Sequence, residues 1–448
     1  MTRIAARPSA EFLRLWEEGY VADPASFAMM HTQAVVVLEG GPLRNDAGSI
    51  DRSAIIHRIE VTSATLRESR SRLMSSTAGL TPAAWVPDEA FDIGRHVRFG
   101  DEILSLTSQN LPLLTGMARG PLSLRHPLWR ATLTELDDGN VALGVVMHHV
   151  VGDALFTLKF LSALTTKAPE SAPPRPTPTA LLERAPRRGG ELPWMALRAW
   201  ASAQPNLRAG WRSFWSMPLR RRIRRVGARN LRPLRHRRAQ SRGDAFASLP
   251  PRHADFRTML STDVSRRASE VGCTMSDLLI AAVIRSAPGS DPDVSLRIPI
   301  AVRRAATEGS RNSVVDLEVS ARRDGSLEKI ATTVRSQLPA RPGDPPPPGE
   351  SAAVTGAPIG YATLVPWLSR PRYFGRARVR EIIAFPTGLA SDELSTQAIL
   401  YDEKLTVVST AQQRTDVSAI AARLAFELTG AEHEPLTRVG DLPSVSAS

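Results

Sequence analysis

The spacing of apolar and polar positions changes period several times along the chain, and each change marks an element. Val35, Val36, Val37 and Leu38 form a β-branched run closed by Gly40-Gly41, the punctuation that ends a strand. Between 53 and 73, apolar positions such as Ile55, Ile56 and Ile59 partly recur at helical spacing, while the β-branched content leaves the boundary open. Residues 129–136 and 141–147 read as two strands joined by Asp137-Asp138-Gly139-Asn140, residue types that accept the left-handed conformations of a tight turn. Leu155, Phe156, Leu158, Phe160 and Leu161 follow in the pattern of a buried helix. A polar corner separates that hairpin from that helix.

The second half shows the same mixture. Residues 257–260 read as a strand, and 263–271 as a helix stopped by Gly272. Thr274-Met275-Ser276-Asp277 has the form of a helix-start cap ahead of the apolar run 278–284. Residues 295–301 are strand-like, 339–350 form a proline-rich loop, and 394–410 suggest a hairpin turning at Asp402-Glu403. Between the halves, 168–178 is dense in proline, 192–215 reads as helical and aromatic with Trp194, Trp200, Trp211 and Trp215, and 218–242 is basic and proline-punctuated. No repeat of about 20 to 50 residues is visible. The reading is an α/β protein with an N-terminal lobe over 1–167, a Pro-, Trp- and Arg-rich crossover linker over 168–245, and a C-terminal lobe over 246–448.

A chain of 448 residues, 42% hydrophobic and 23% charged, can bury two domain-sized cores. No apolar run approaches the roughly 18 to 20 residues of a membrane span. Acidic and basic residues interrupt the first twenty positions, so a secretory signal is not supported and the cytoplasm is the expected location, with peripheral contact at a membrane left open. The single cysteine, Cys273, excludes an internal disulfide and a cysteine metal cluster, and its neighbours offer no base to activate it. The formal charge of +12 is concentrated in arginines between Arg208 and Arg242 and describes a segment more than a whole surface.

The sharpest chemical signal sits in the polar corner, as His148-His149-Val150-Val151-Gly152-Asp153. Histidine titrates near neutrality and can take a proton from a hydroxyl or amine as a general base. On spacing alone a second account stands beside this one: two histidines end a strand and Asp153 caps the next helix. A metal site is not expected, because adjacent histidines on a strand point to opposite faces and no third ligand lies near. The chain has no G-x-S-x-G elbow, phosphate loop, G-x-G-x-x-G or H-E-x-x-H, so covalent serine chemistry and nucleotide use lose their usual sequence support.

Beyond the histidines, Trp85-Val86-Pro87-Asp88-Glu89-Ala90-Phe91-Asp92, continuing to His96-Val97, resembles a W-x-x-D-x-x-F-D-x-x-x-H-V stretch. Pro121-Leu122 followed by Pro127-Leu128-Trp129 resembles P-L-D-x-x-x-P-L-W; Gly272 to Asp277 is similar to G-x-T-x-N-D, and Pro299 to Arg303 with Asn312 follows a P-V-S-x-R element. Together these resemble the bacterial wax ester synthase/diacylglycerol acyltransferase family, within the superfamily of chloramphenicol acetyltransferase and peptide-synthetase condensation domains. The resemblance implies two chloramphenicol-acetyltransferase-like lobes with the active site in a tunnel between them. It gives His149 the base role and His148, Gly152 and Asp153 supporting roles, while His96 and Trp129 would pack or hydrogen-bond. Acyl-CoA or an acyl carrier protein would supply the thioester as co-substrate, with no permanently bound cofactor or metal, and a hydroxyl would accept the acyl group.

Four departures bear on the substrate. The family's glycine after the aspartate is Ala154 here, Ser123 and Ser276 replace an aspartate and an asparagine, and N-V-P-G-P is only echoed by Leu364-Val365-Pro366-Trp367. Ala154, Ser276, Asp277 and Asn312 are therefore the candidates for the substrate path. The same chemistry allows an amine acceptor in an amide-forming or cyclising condensation enzyme, and a non-catalytic homologue that binds an acyl ligand or carrier is the third reading. The arginines of 208–242 suit an anionic membrane surface or an acidic carrier protein, or else reflect a tethered crossover with a compositional bias. No motif for nucleic acid accompanies them.

Overall fold

The computed structural model describes residues 7–8, 10–14, 17–21, 27, 30–76, 81–170, 183–186, 189–202, 215–216, 218–220, 252–301, 314–339, 358–368, 370–387, 392–412 and 414–431. Most of the proline-dense stretch, of the arginine run and of the 339–350 loop lies outside them. No helix among the described residues is long and apolar enough to cross a membrane.

A six-stranded sheet organises the first lobe, in the order Tyr373–Phe374, Ala377–Phe385, His31–Leu38, Val141–His148, Trp129–Glu135 and Val97–Phe99. The hairpin read from the sequence is present, and Gly139 at its turn has φ +83°, a conformation that costs glycine little. All eight residues of Val141–His148 are buried, which explains a continuous apolar run where a half-exposed strand would alternate. The strand beside it serves two cores through its period of two. Val36 and Leu38 join the first-lobe core with Ile55, Ile59, Phe160 and Leu161 from the helices Arg52–Ser63 and Ala154–Leu164, whereas Val35 and Val37 face a smaller core shared with Ile383 and Val408.

The second lobe is built on a four-stranded sheet, Arg252–Leu260, Lys404–Gln412, Leu394–Tyr401 and Ala362–Leu368. Helices Ser261–Val271, Met275–Ser286, Leu327–Gln337 and Val417–Thr429 and the antiparallel pair Asp293–Ala301 with Val314–Arg322 complete it around its own core. The chain is thus an α/β protein of two lobes. They are not separate in sequence, because Ala377–Phe385 pairs antiparallel with His31–Leu38 and belongs to the first sheet. The sequence pattern held no sign of that insertion.

One boundary moved for a local reason. The helix expected from 53 ends at Ser63, where Ser63 Oγ donates to Glu60 O at 2.7 Å and Thr65 Oγ1 to Thr62 O at 2.7 Å, side-chain bonds that compete with continued helix; a short turn then leads to the strand Ser71–Met74. The aromatic helix of the linker covers Glu191–Ser202, and residues 203–214 lie outside the described residues.

Trp129 and His96 fasten the hairpin to the rest of the lobe. Trp129 Nε1 donates to Ser69 O at 2.8 Å, and the His96 ring stacks on Trp129 at 4.6 Å and Phe91 at 4.9 Å while its Nδ1 lies 2.8 Å from Trp129 O. Burial lowers the His96 pKa to about 4. Between the unfolded value near 6.5 and about 4 the unfolded chain binds the extra proton, so this residue's stabilisation is complete above pH 6.5 and is lost as pH falls, by roughly 3 kcal/mol in all. Urea denaturation from pH 7 to pH 4 should therefore show a steeper loss of stability in the native chain than in His96→Gln; equal slopes would refute the assignment.

Candidate active site

The two histidines leave the end of a buried strand and do different things. His148 is its last residue, fully buried, in register with His31 across the sheet. Val150 N–H donates to His148 Nδ1 at 3.1 Å, which fixes the proton on Nε2, and Nε2 lies 3.1 Å from Phe27 O, its acceptor. Its ring stacks on Phe27 at 4.3 Å and meets His31 edge-on at 5.2 Å. Burial, with His31 and His149 nearby, holds its pKa well below the ordinary histidine value. This side chain stays neutral and spends both nitrogens on the local backbone. His31, whose Nε2 accepts from Leu122 N–H at 3.2 Å, ties a second loop to the same point.

His149 stands one residue beyond the strand and is only half-buried. Its backbone N–H donates to Met30 O at 2.6 Å, and its carbonyl accepts from Gly152 N–H at 3.2 Å, so the main chain that carries it is held from both sides. The Tyr20 ring meets its imidazole edge-on at 5.3 Å. Burial raises the Tyr20 pKa, helped by the carboxylates of Asp316, Glu17 and Asp153. Asp316 belongs to the second-lobe strand Val314–Arg322, so a charge of that lobe acts on Tyr20, the ring beside His149.

The corner after His149 is shaped by what fits. A Cβ on Gly152 would lie 2.2 Å from Phe156 Cβ and 2.3 Å from its Cγ, far inside contact distance. Asp153 is buried and accepts from Phe156 N–H at 3.1 Å, capping the helix Ala154–Leu164. At the other end of that helix Arg372, from the second half of the chain, donates to Ser162 O at 2.7 Å and Thr165 O at 2.5 Å and binds Thr165 Oγ1 at 3.1 Å, while its own N–H donates to Tyr401 Oη at 2.9 Å. A cation on the last carbonyls of a helix complements its dipole. The helix behind the histidine pair is therefore held at both ends.

Of the other residues singled out by sequence, Asp277 is buried at the start of Met275–Ser286 and closes a capping box with Thr274, whose Oγ1 donates to Asp277 Oδ2 at 2.7 Å. Ser276 is exposed on the same turn. Ala154 opens its helix, and Asn312 lies outside the described residues. Cys273, half-buried, has its thiol pKa raised by burial and by Asp277, which disfavours a reactive thiolate. Sequence reading missed Tyr20, His31, Asp316 and Arg372. His31 becomes visible only once its strand is paired with the motif strand, and nothing local marks the other three.

Residues 23–278, more than half of the chain, match the model of the wax ester synthase/diacylglycerol acyltransferase catalytic domain. The chain belongs to the wax ester synthase/diacylglycerol acyltransferase family. The matched stretch contains both the His148-to-Asp153 corner and the Thr274 helix start. Two Mycobacterium tuberculosis proteins named as candidate diacylglycerol O-acyltransferases are similar in part. One is 31% identical over 109 residues, 23% of this chain and 22% of its own; the other is 28% identical over 140 residues, 30% and 28%. The aligned chain thus spans under a third of these relatives. Among solved structures, the wax ester synthase/diacylglycerol acyltransferase of Marinobacter aquaeolei VT8 superposes with a TM-score of 0.57 at 13% identity, covering 93% of this chain and 98% of its own. The first condensation domain of the calcium-dependent antibiotic synthetase gives 0.55 at 15%, covering 97% and 99%. At these identities the likeness concerns the fold.

Proposed function

We propose that the chain transfers an acyl group from an acyl thioester to a hydroxyl acceptor, with His149 as general base. The observation that carries this reading is the division of labour between the histidines: His148 is buried, neutral and committed to the backbone, whereas His149 is half-buried beside a group that feels the second lobe. In the proposed step His149 takes the acceptor's proton as the acceptor oxygen attacks the thioester carbonyl. The tetrahedral intermediate collapses, the carbon–sulfur bond breaks, and the departing thiolate recovers the proton from the imidazolium. Asp153 and Gly152 shape the corner, and Ala154, Ser276, Asp277 and Asn312 remain the candidates to line a tunnel between the lobes. The thioester is a co-substrate, so no resident cofactor is required.

Donor and surface partner form the finer part of the proposal. Trp194, Leu197, Trp215 and Leu219 are exposed, and Arg198 lies over the Trp194 ring at 5.2 Å. Aromatic and apolar side chains beside a strongly basic segment suit the headgroup region of an anionic membrane, and an acidic carrier protein is the alternative. An amine acceptor is the second reading of the chemistry, supported by a fold shared with a condensation domain. One experiment separates these readings. Thiol release and product are followed for acyl-CoA and acyl-carrier donors of several chain lengths, with alcohol, diacylglycerol and amine acceptors, with and without phosphatidylglycerol vesicles. The expected result is ester formation, faster on the vesicles. Amide alone would replace the acceptor assignment, and donor binding without thiol release for every acceptor would leave a non-catalytic acyl-binding protein.

A further inference from the structure

We infer that Tyr20 is a positioning residue for His149, its ring acting as an edge-on stop that holds the imidazole in the orientation needed to receive a proton. This rests on His149 being the base. The main chain of His149 is tied by its N–H to Met30 and by its carbonyl to Gly152, which fixes the Cα but leaves rotation about the side-chain bonds. Tyr20, on the short helix Glu17–Val21, lies against the imidazole at 5.3 Å with 65° between the ring planes, the T-shaped arrangement that aromatic quadrupoles favour. Carboxylates from three elements act on its phenol: Glu17 of its own helix, Asp153 of the motif corner and Asp316 of the second lobe. Burial above all, and these carboxylates after it, raise its pKa, so the ring beside a base that must become cationic during transfer stays uncharged. Tyr20 precedes the stretch matched by the family model, which begins at residue 23.

The test pairs a structural readout with a kinetic one, on the full chain. In protein labelled with 13C-histidine, the His149 ring resonances should carry a ring-current shift that Tyr20→Phe retains and Tyr20→Leu loses, with Tyr20→Ala as a second deletion should the leucine variant be unstable. In the acyl-transfer assay, Tyr20→Phe should keep kcat within about twofold, whereas the deletions should lower it on the order of 10- to 100-fold with KM for donor and acceptor little changed, as for a misplaced catalytic group. Unchanged His149 resonances in the deletions, a kcat loss as large in Tyr20→Phe, or an effect confined to KM would overturn the inference. If His149→Ala were fully active, the base assignment would fail, while the resonance measurement would still report whether the ring contact exists.

Discussion

His149→Ala is expected to lower kcat by about 100- to 10,000-fold, the range of a general base, while the variant folds as the native chain does. The side chain is half-buried, and the contacts that hold its residue in place are made by its main chain, which alanine keeps. His148→Ala should behave in the opposite way. Removing that ring strips the Val150 N–H and the Phe27 carbonyl of their partner and leaves a void between Phe27 and His31. Each orphaned buried group costs about 1 to 3 kcal/mol, so the loss should appear first in denaturation midpoint and only through it in activity. Measuring kcat and urea stability for both variants decides the matter: a His149→Ala enzyme with native kcat would remove the residue from the chemistry, and an equally stable His148→Ala would refute the structural role of its neighbour.

The second large effect is expected from a single methyl. Gly152→Ala places a Cβ within 2.3 Å of the Phe156 side chain, and Phe156 is itself packed in the first-lobe core. Either the corner lifts or the helix shifts, and overpacking of this kind costs about 1 to 3 kcal/mol. Because Gly152 N–H is bonded to the His149 carbonyl, the displacement passes directly to His149, the proposed base. A shift on the order of 1 Å at a catalytic group can cost roughly 100-fold in rate, so kcat should fall further than the lost stability accounts for. A crystal structure of the variant with His149 unmoved, together with native kcat, would show the corner to be more compliant than its packing implies.

What could be read from the sequence was local. The hairpin from Trp129 to His148 carries its own turn chemistry, the helix after it carries its own cap, and Thr274 with Asp277 form the capping box their spacing announces. The likeness of ordered motifs supplied the family and hence the two lobes. The features left unread were nonlocal. A run such as Glu381 to Phe385 does not state which strand it will pair with, and the two-faced packing of Val35 and Val36 emerges only when a second sheet is laid against the first. Asp277 illustrates the limit differently: its spacing matched a family motif and a helix cap alike, and the described contacts display the cap. Tyr20 and Arg372 reach the motif from distant parts of the chain, so no window of sequence around it contains them.

The strand Ala377–Phe385 has a consequence for how the protein is made. Synthesis proceeds from the N-terminus at about 5 to 20 residues per second, so the histidine-bearing strand leaves the ribosome roughly 10 to 50 s before the strand that flanks His31–Leu38. During that interval a β-branched edge stands open, the kind of template on which nascent chains aggregate. A translation product halted in the linker would contain every residue of the histidine motif and still lack a finished sheet. Poor solubility of the isolated N-terminal half is the expected cellular counterpart of a site whose scaffold waits for a strand from the second half of the chain.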